Sequence, residues 1–168
     1  MSLPVEAFLH SMEAFMSRLV ACLHLLAAAV GLCLIMPVLA AEPQSPDMVK
    51  TGLHILAGIY GDMDRKLTAE QYDRLPHENQ EFQEGSGALR DAVAHDPAAF
   101  KDKVEAALKD SLAAAQKVAD ESKSHDKSKV SAALASLATS MKALNALFPA
   151  ALRSEPGTVD PPWVKHQK

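Results

Sequence analysis

His77 and Glu81 are the residues whose types and spacing best suit chemistry. Four positions apart on a helix, they set an imidazole and a carboxylate on one face, which is donor chemistry for copper or zinc. Two donors fall short of the three or four that such an ion takes from protein, so the pair reads first as a solvated pair at a helix end. Asp62-Met63-Asp64 is a weaker candidate, because Met63 belongs to an apolar stripe. Among the other histidines after residue 40, His54 falls on the outward side of a helix, while His95, His125 and His166 fall at helix ends, turns or the tail. The paired Glu-x-x-His pattern of di-iron bundles is missing. Serine, histidine and aspartate are present without a nucleophile elbow, so the chain is expected not to be an enzyme.

Cys22 and Cys33 both lie in an apolar stretch near the N-terminus, so a product cleaved beyond it has no thiol, disulfide or cysteine-held metal. Arg18 is followed by an uncharged run, Leu19 to Leu39, and then by Ala40 and Ala41, the small residues a signal peptidase inspects. We expect residues 1–40 to be a signal peptide cleaved after Ala40, and the protein to be periplasmic. Glu6 and Glu13 are wrong for a leading region, which points to Met16 as the initiator. The run is also long enough to span a bilayer, so an uncleaved anchor competes with cleavage, and membrane contact is expected through this segment only. Leu19-Val20-Ala21-Cys22 looks like a lipoprotein box, but its apolar stretch follows the cysteine instead of preceding it.

The elements that must position these groups read as helices. The chain has 168 residues, 48% hydrophobic and 23% charged, which suits one globular domain, and its 5% aromatic content leaves a core of aliphatic helix formers. A net charge of -4 with no basic run argues against nucleic acid as a partner. Loss of residues 1–40 leaves about -3. Asp47 is expected to cap a first helix to about Lys66, with Val49, Gly52, Leu53, Leu56, Ile59, Tyr60, Met63 and Leu67 inward and His54, Gly58 and Gly61 outward. Thr68 with Gln71 reads as a capping box for a second helical region, interrupted by Pro76 and running from His77 to about Ala94, weakened by Gly85 and Gly87. Asp96-Pro97 reads as the start of a third helix to about Ser122, with Val104, Leu108, Leu112, Ala115 and Ala119 as its stripe. After a turn over Ser122 to Lys129, a fourth carries Val130, Leu134, Leu137, Met141, Leu144 and Phe148 to a stop at Pro149.

Four singly striped helices with short turns bury their stripes most simply as an all-α antiparallel four-helix bundle over residues 41–152. Residues 153–168 are then an extended tail, whose Trp163 could dock on the bundle.

The run Ala138-Thr-Ser-Met-Lys-Ala-Leu-Asn-Ala-Leu-Phe148 resembles the last helix of the cytochrome c′ family, exported four-helix bundles with a terminal Cys-x-x-Cys-His. Met141 and Leu144 stand where the haem-linking cysteines would be, Asn145 stands for the axial histidine, and Phe148 matches a frequent aromatic. Pro149 replaces a basic residue often found next. The resemblance covers roughly Asp47 to Leu152 and implies a cytochrome c′-like fold without covalent haem, so the family's redox and gas-binding activities do not carry over. The leading expectation is a non-catalytic protein that binds a protein or small ligand, with no resident cofactor. The alternatives are a copper- or zinc-handling protein, an electron carrier with non-covalent haem, and a structural or stress-related protein associating through its outer faces. A homodimer stays open.

Overall fold

A computed structural model describes residues 42–157. The expectations for the segment 1–40, for Met16, Cys22 and Cys33, and for Trp163 and His166 lie outside the described residues. Those residues form an all-α structure of four long helices: α1 (Pro46–Thr68), α2 (Leu75–Ala92), α3 (Ala98–Ser122) and α4 (Lys127–Ala146). No described residue is in a strand. Each helix packs on the next in sequence, and α1 also touches α4 and the short 3-10 turn Ala150–Leu152. No described helix is long and apolar enough to cross a membrane.

The helix starts differ from the sequence reading in ways that local chemistry explains. Ser45, not Asp47, takes the cap position of α1, and its side chain makes no capping bond. Pro46 supplies the first turn, where a missing N–H costs nothing, and Asp47 faces the positive end of the helix dipole. The capping box expected at Thr68 does not form. Thr68 ends α1, and Glu70 turns the chain with a φ of 57°. Pro76 opens α2 instead of interrupting it, again because the first turn tolerates proline. The aspartate of Asp96-Pro97 does not cap α3: Pro97 holds the cap position, and Asp96 Oδ1 accepts the Gln44 N–H at 2.8 Å. A true side-chain cap stands at α4, where Asp126 Oδ1 accepts from the Ser128 and Lys129 N–H groups at 3.0 and 3.2 Å.

The core is aliphatic, as the composition requires. It holds Val49, Leu53, Leu56, Ile59 and Met63 of α1, Phe82 and Leu89 of α2, Val104 and Leu108 of α3, and Leu134, Leu137, Met141 and Leu144 of α4. Phe148, fully buried, meets Phe100 edge to face with ring centroids 5.6 Å apart. Two stripes need correction. Gly58 and Gly61 are buried, not outward, because α1 has neighbours on several sides and its covered arc exceeds one stripe. Leu112 is only half-buried, and Ser111 and Val118 take the inward positions of α3, since a straight helix drifts off a strict four-residue repeat. Ser111 sits in an apolar core because its Oγ donates to the Ala107 carbonyl at 3.0 Å.

The α1–α2 contact is close at two glycines. A Cβ at Gly52 would lie 3.1 Å from Leu89 Cα, and one at Gly85 would lie 2.9 Å from Ile55 Cγ2. Gly87, by contrast, faces open space.

Candidate functional site

Ionisable groups gather where the end of α1 meets the start of α2. His77 Nε2 lies 3.2 Å from Glu81 Oε1, so the pair expected from sequence is formed, on an exposed part of α2. One turn inward the periodicity of α2 buries polar groups. Leu75, Glu78, Phe82, Ser86 and Leu89 follow at intervals of three and four, and all are buried. Glu78, 2% exposed, therefore enters the interior, where Lys66 of α1 pairs with its Oε1. Its Oε2 is buried without a hydrogen-bond partner among the described residues. Asp62, one turn before Lys66, pairs with Arg65 and also keeps one buried oxygen unpartnered.

This crowding acts on Glu81. Burial first, and then the neighbouring Glu78 charge, push its carboxyl above the ordinary carboxylate range; His77 and Lys66 pull the other way, and Asp62 adds to the rise. The cluster is thus an acid-rich seam already supplied with its own cations. Among the described residues, no three or more histidine, cysteine, aspartate or glutamate side chains are placed to hold a metal ion.

The remaining histidines are dispersed. His54 is half-exposed and His95 exposed. His125, with a φ of 53°, stacks on Tyr72 at 5.2 Å and sets its Nε2 3.2 Å from Asp73 Oδ1. It ties the α3–α4 turn to the α1–α2 turn, as does Lys127, 3.2 Å from Glu70.

At the other candidate, the last turns of α4, Met141 and Leu144 are core residues at 1% exposure. Asn145 is 2% exposed and fully engaged: Nδ2 donates to the carbonyls of Met141 and Ser154, at 3.0 and 3.1 Å, and Oδ1 accepts the Ser154 N–H at 3.0 Å. This two-way amide clasp folds the chain back after Pro149, and Arg153 Nε donates to the Phe148 carbonyl at 2.9 Å. Packing therefore continues past the expected boundary at 152, with Ser154 buried.

Three contacts between helices escaped the sequence reading: the Lys66–Glu78 pair, the Asn79–Gln116 bond between α2 and α3 at 2.9 Å, and the Arg90–Glu105 fork at 2.8 and 3.0 Å. The first had a signal, a glutamate in register with the apolar residues of α2. The others depend on which neighbour a helix meets, which periodicity does not encode. The comparisons with protein-family models, curated proteins and solved structures find no match to this chain.

Proposed function

We propose that this chain is an exported, non-catalytic protein built as an antiparallel four-helix bundle like that of cytochrome c′, without covalent haem, and that it works by binding a partner. Support for the bundle comes from the contacts of successive helices, the return of α4 to α1, and the α1–α2 and α3–α4 turns lying side by side. Export rests on the apolar segment and the small residues at Ala40 and Ala41.

The observation that carries the haem-less reading is Asn145. In the resemblance it stands in for the axial ligand, yet both ends of its amide bond the protein's own backbone. Residues 42–157 contain no cysteine, and Met141 and Leu144 fill space inside the core. These side chains do not fit a covalently held porphyrin, which needs two thiols and an axial nitrogen. A second reading, copper or zinc handling, draws on the His77–Glu81 contact alone.

The test is an absorption spectrum with metal analysis of the protein, produced from its full gene and recovered after export by a host that makes c-type cytochromes. A colourless, metal-poor protein is the expected result. A Soret band with stoichiometric iron overturns the proposal in favour of a haem carrier. Stoichiometric copper or zinc, lost in Glu81→Gln, moves it to the metal reading.

A further inference from the structure

The outer seam between α1 and α2 has a shape, and at Asp47 and Asp91 a charge, that the helix pair does not itself use. Two shallow hollows of about 330 and 320 Å³ follow one another along it. The first lies between Met48 and Thr51 of α1 and Ala88 of α2, and the second between Ile55 and Ile59 of α1 and Gly85 of α2. On α1 these residues recur at intervals of three and four, so the hollows belong to one line on the helix surface. The floor is apolar and low, because Gly85 has no side chain and Ile55 settles against it. Met48, half-exposed at 51%, is the exposed large hydrophobic among the described residues.

The banks carry four acids, of which Glu81 is already in contact with His77. Asp47 and Asp91 flank the first hollow, and Glu84 and Glu81 flank the second. Asp47 and Asp91 have no cationic partner among the described residues, and Glu84 only accepts a bond from Gln80 at 3.0 Å. Further along α1 the cations are committed elsewhere: Arg65 holds Asp62 and Lys66 holds Glu78. Lys50, three residues after Asp47, lies on the same side of α1 as that acid, without an ion pair to it among the described residues.

We propose that this groove docks a cationic amphipathic helix of a partner protein, aliphatic side chains against Met48 and Ile55 and lysines or arginines against the acidic banks. Helix-in-groove docking requires an apolar floor with rims opposite in sign to the ligand, and both are present here. The line from Met48 to Ile59 spans roughly 17 Å at about 1.5 Å per residue, enough for three turns of a docked helix. The inference rests on the binding reading above and gives it a surface and a partner class.

The probe is a synthetic helical peptide of about 14 residues with leucine and lysine at helical spacing, titrated into the exported protein by fluorescence anisotropy. Saturable one-to-one binding is expected. Asp47→Lys with Asp91→Lys should weaken it about tenfold, because attraction becomes repulsion at two points. Met48→Ser should weaken it severalfold with every charge kept, while Asp110→Lys, an exposed change on α3, should have little effect. Circular dichroism confirms that each variant is folded. Equal losses in the groove and Asp110 variants, or no effect of Met48→Ser, mean unspecific charge attraction and overturn the proposal. So does binding that requires removal of residues 158–168, which would assign the groove to the protein's own tail. A dimer that the Asp47 and Asp91 changes dissolve would assign it to a second copy. A haem-bearing protein overturns the function whatever the peptide does, whereas a colourless protein that ignores the peptide overturns only the groove.

Discussion

Glu78 carries a carboxyl group into the helix pair at 2% exposure. Glu78 has Lys66 as its cation, and removing that cation leaves a carboxylate inside the helix pair without compensation. Lys66→Met should lower unfolding stability by about 2–3 kcal/mol in urea titrations, and Lys66→Met with Glu78→Gln should regain much of that. Glu81 behaves oppositely to most carboxylates. Its raised value means that the folded protein holds more protons than the unfolded chain just above the ordinary 4.5, so its ionisation subtracts stability as pH rises through that window. Glu81→Gln should therefore flatten the fall in stability as pH rises above 4.5, by roughly a few tenths of a kcal/mol after solvent screening. Glu105 is the contrasting case: hydrogen bonding to Arg90 lowers its value, so its contribution is present above 4.5 and fades as pH falls through the lowered folded value. Glu105→Gln should cost less than about 1 kcal/mol near neutrality, since both side chains are largely exposed, and nothing in strong acid.

At the scale of the elements, Gly52 of α1 and Gly87 of α2 answer differently to the same substitution. Gly52→Ala places a methyl group 3.1 Å from the Leu89 backbone, which cannot swing away, so we expect a loss of about 1–3 kcal/mol. Gly87→Ala meets nothing and should raise stability by about 0.5–1 kcal/mol, both changes being read in thermal melts, because alanine loses less freedom on entering a helix. The contrast explains how much the sequence disclosed. The inward residues of α4, Val130 to Phe148, were legible because apolar side chains at helical spacing have few other places to go. The start of α2 was not, since Thr68 and Gln71 form a plausible capping box that the preceding helix overrides by running on to Thr68, and Pro76, expected as an interruption, falls in the first turn of α2. The His77–Glu81 contact was legible from i, i+4 geometry within one helix, whereas Lys66–Glu78 needed the register of α1 on α2, which no single-helix pattern contains.

For the whole molecule, the return of the chain onto its first helix decides how cooperative the fold is. Helices in proteins draw most of their stability from packing an amphipathic face, so each depends on its neighbours. The segment after α4 joins the last element to the first: its turn Ala150–Leu152 touches α1, and Gly157 lies beside Tyr60. Asn145 fastens that segment through bonds to Ser154, nine residues on, and these were invisible in sequence because an asparagine in an alanine-rich helix has no necessary partner. Asn145→Ala removes bonds at a site 2% exposed and leaves the Ser154 amide and carbonyl unsatisfied at 7% exposure. That should cost about 2–3 kcal/mol, which lowers the melting temperature by roughly 8–15 °C for a domain of this size. If the clasp is what seals the end of α4, limited proteolysis should cut the variant between Pro149 and Gly157 well before any helix. Asn145→Asp, which keeps the acceptor for the Ser154 N–H but turns a buried carboxylate oxygen toward the Met141 and Ser154 carbonyls, should cost at least as much near neutral pH. A variant that melts early but is cut first inside α2 would mean that Asn145 stabilises α4 alone and that the closing segment holds by packing.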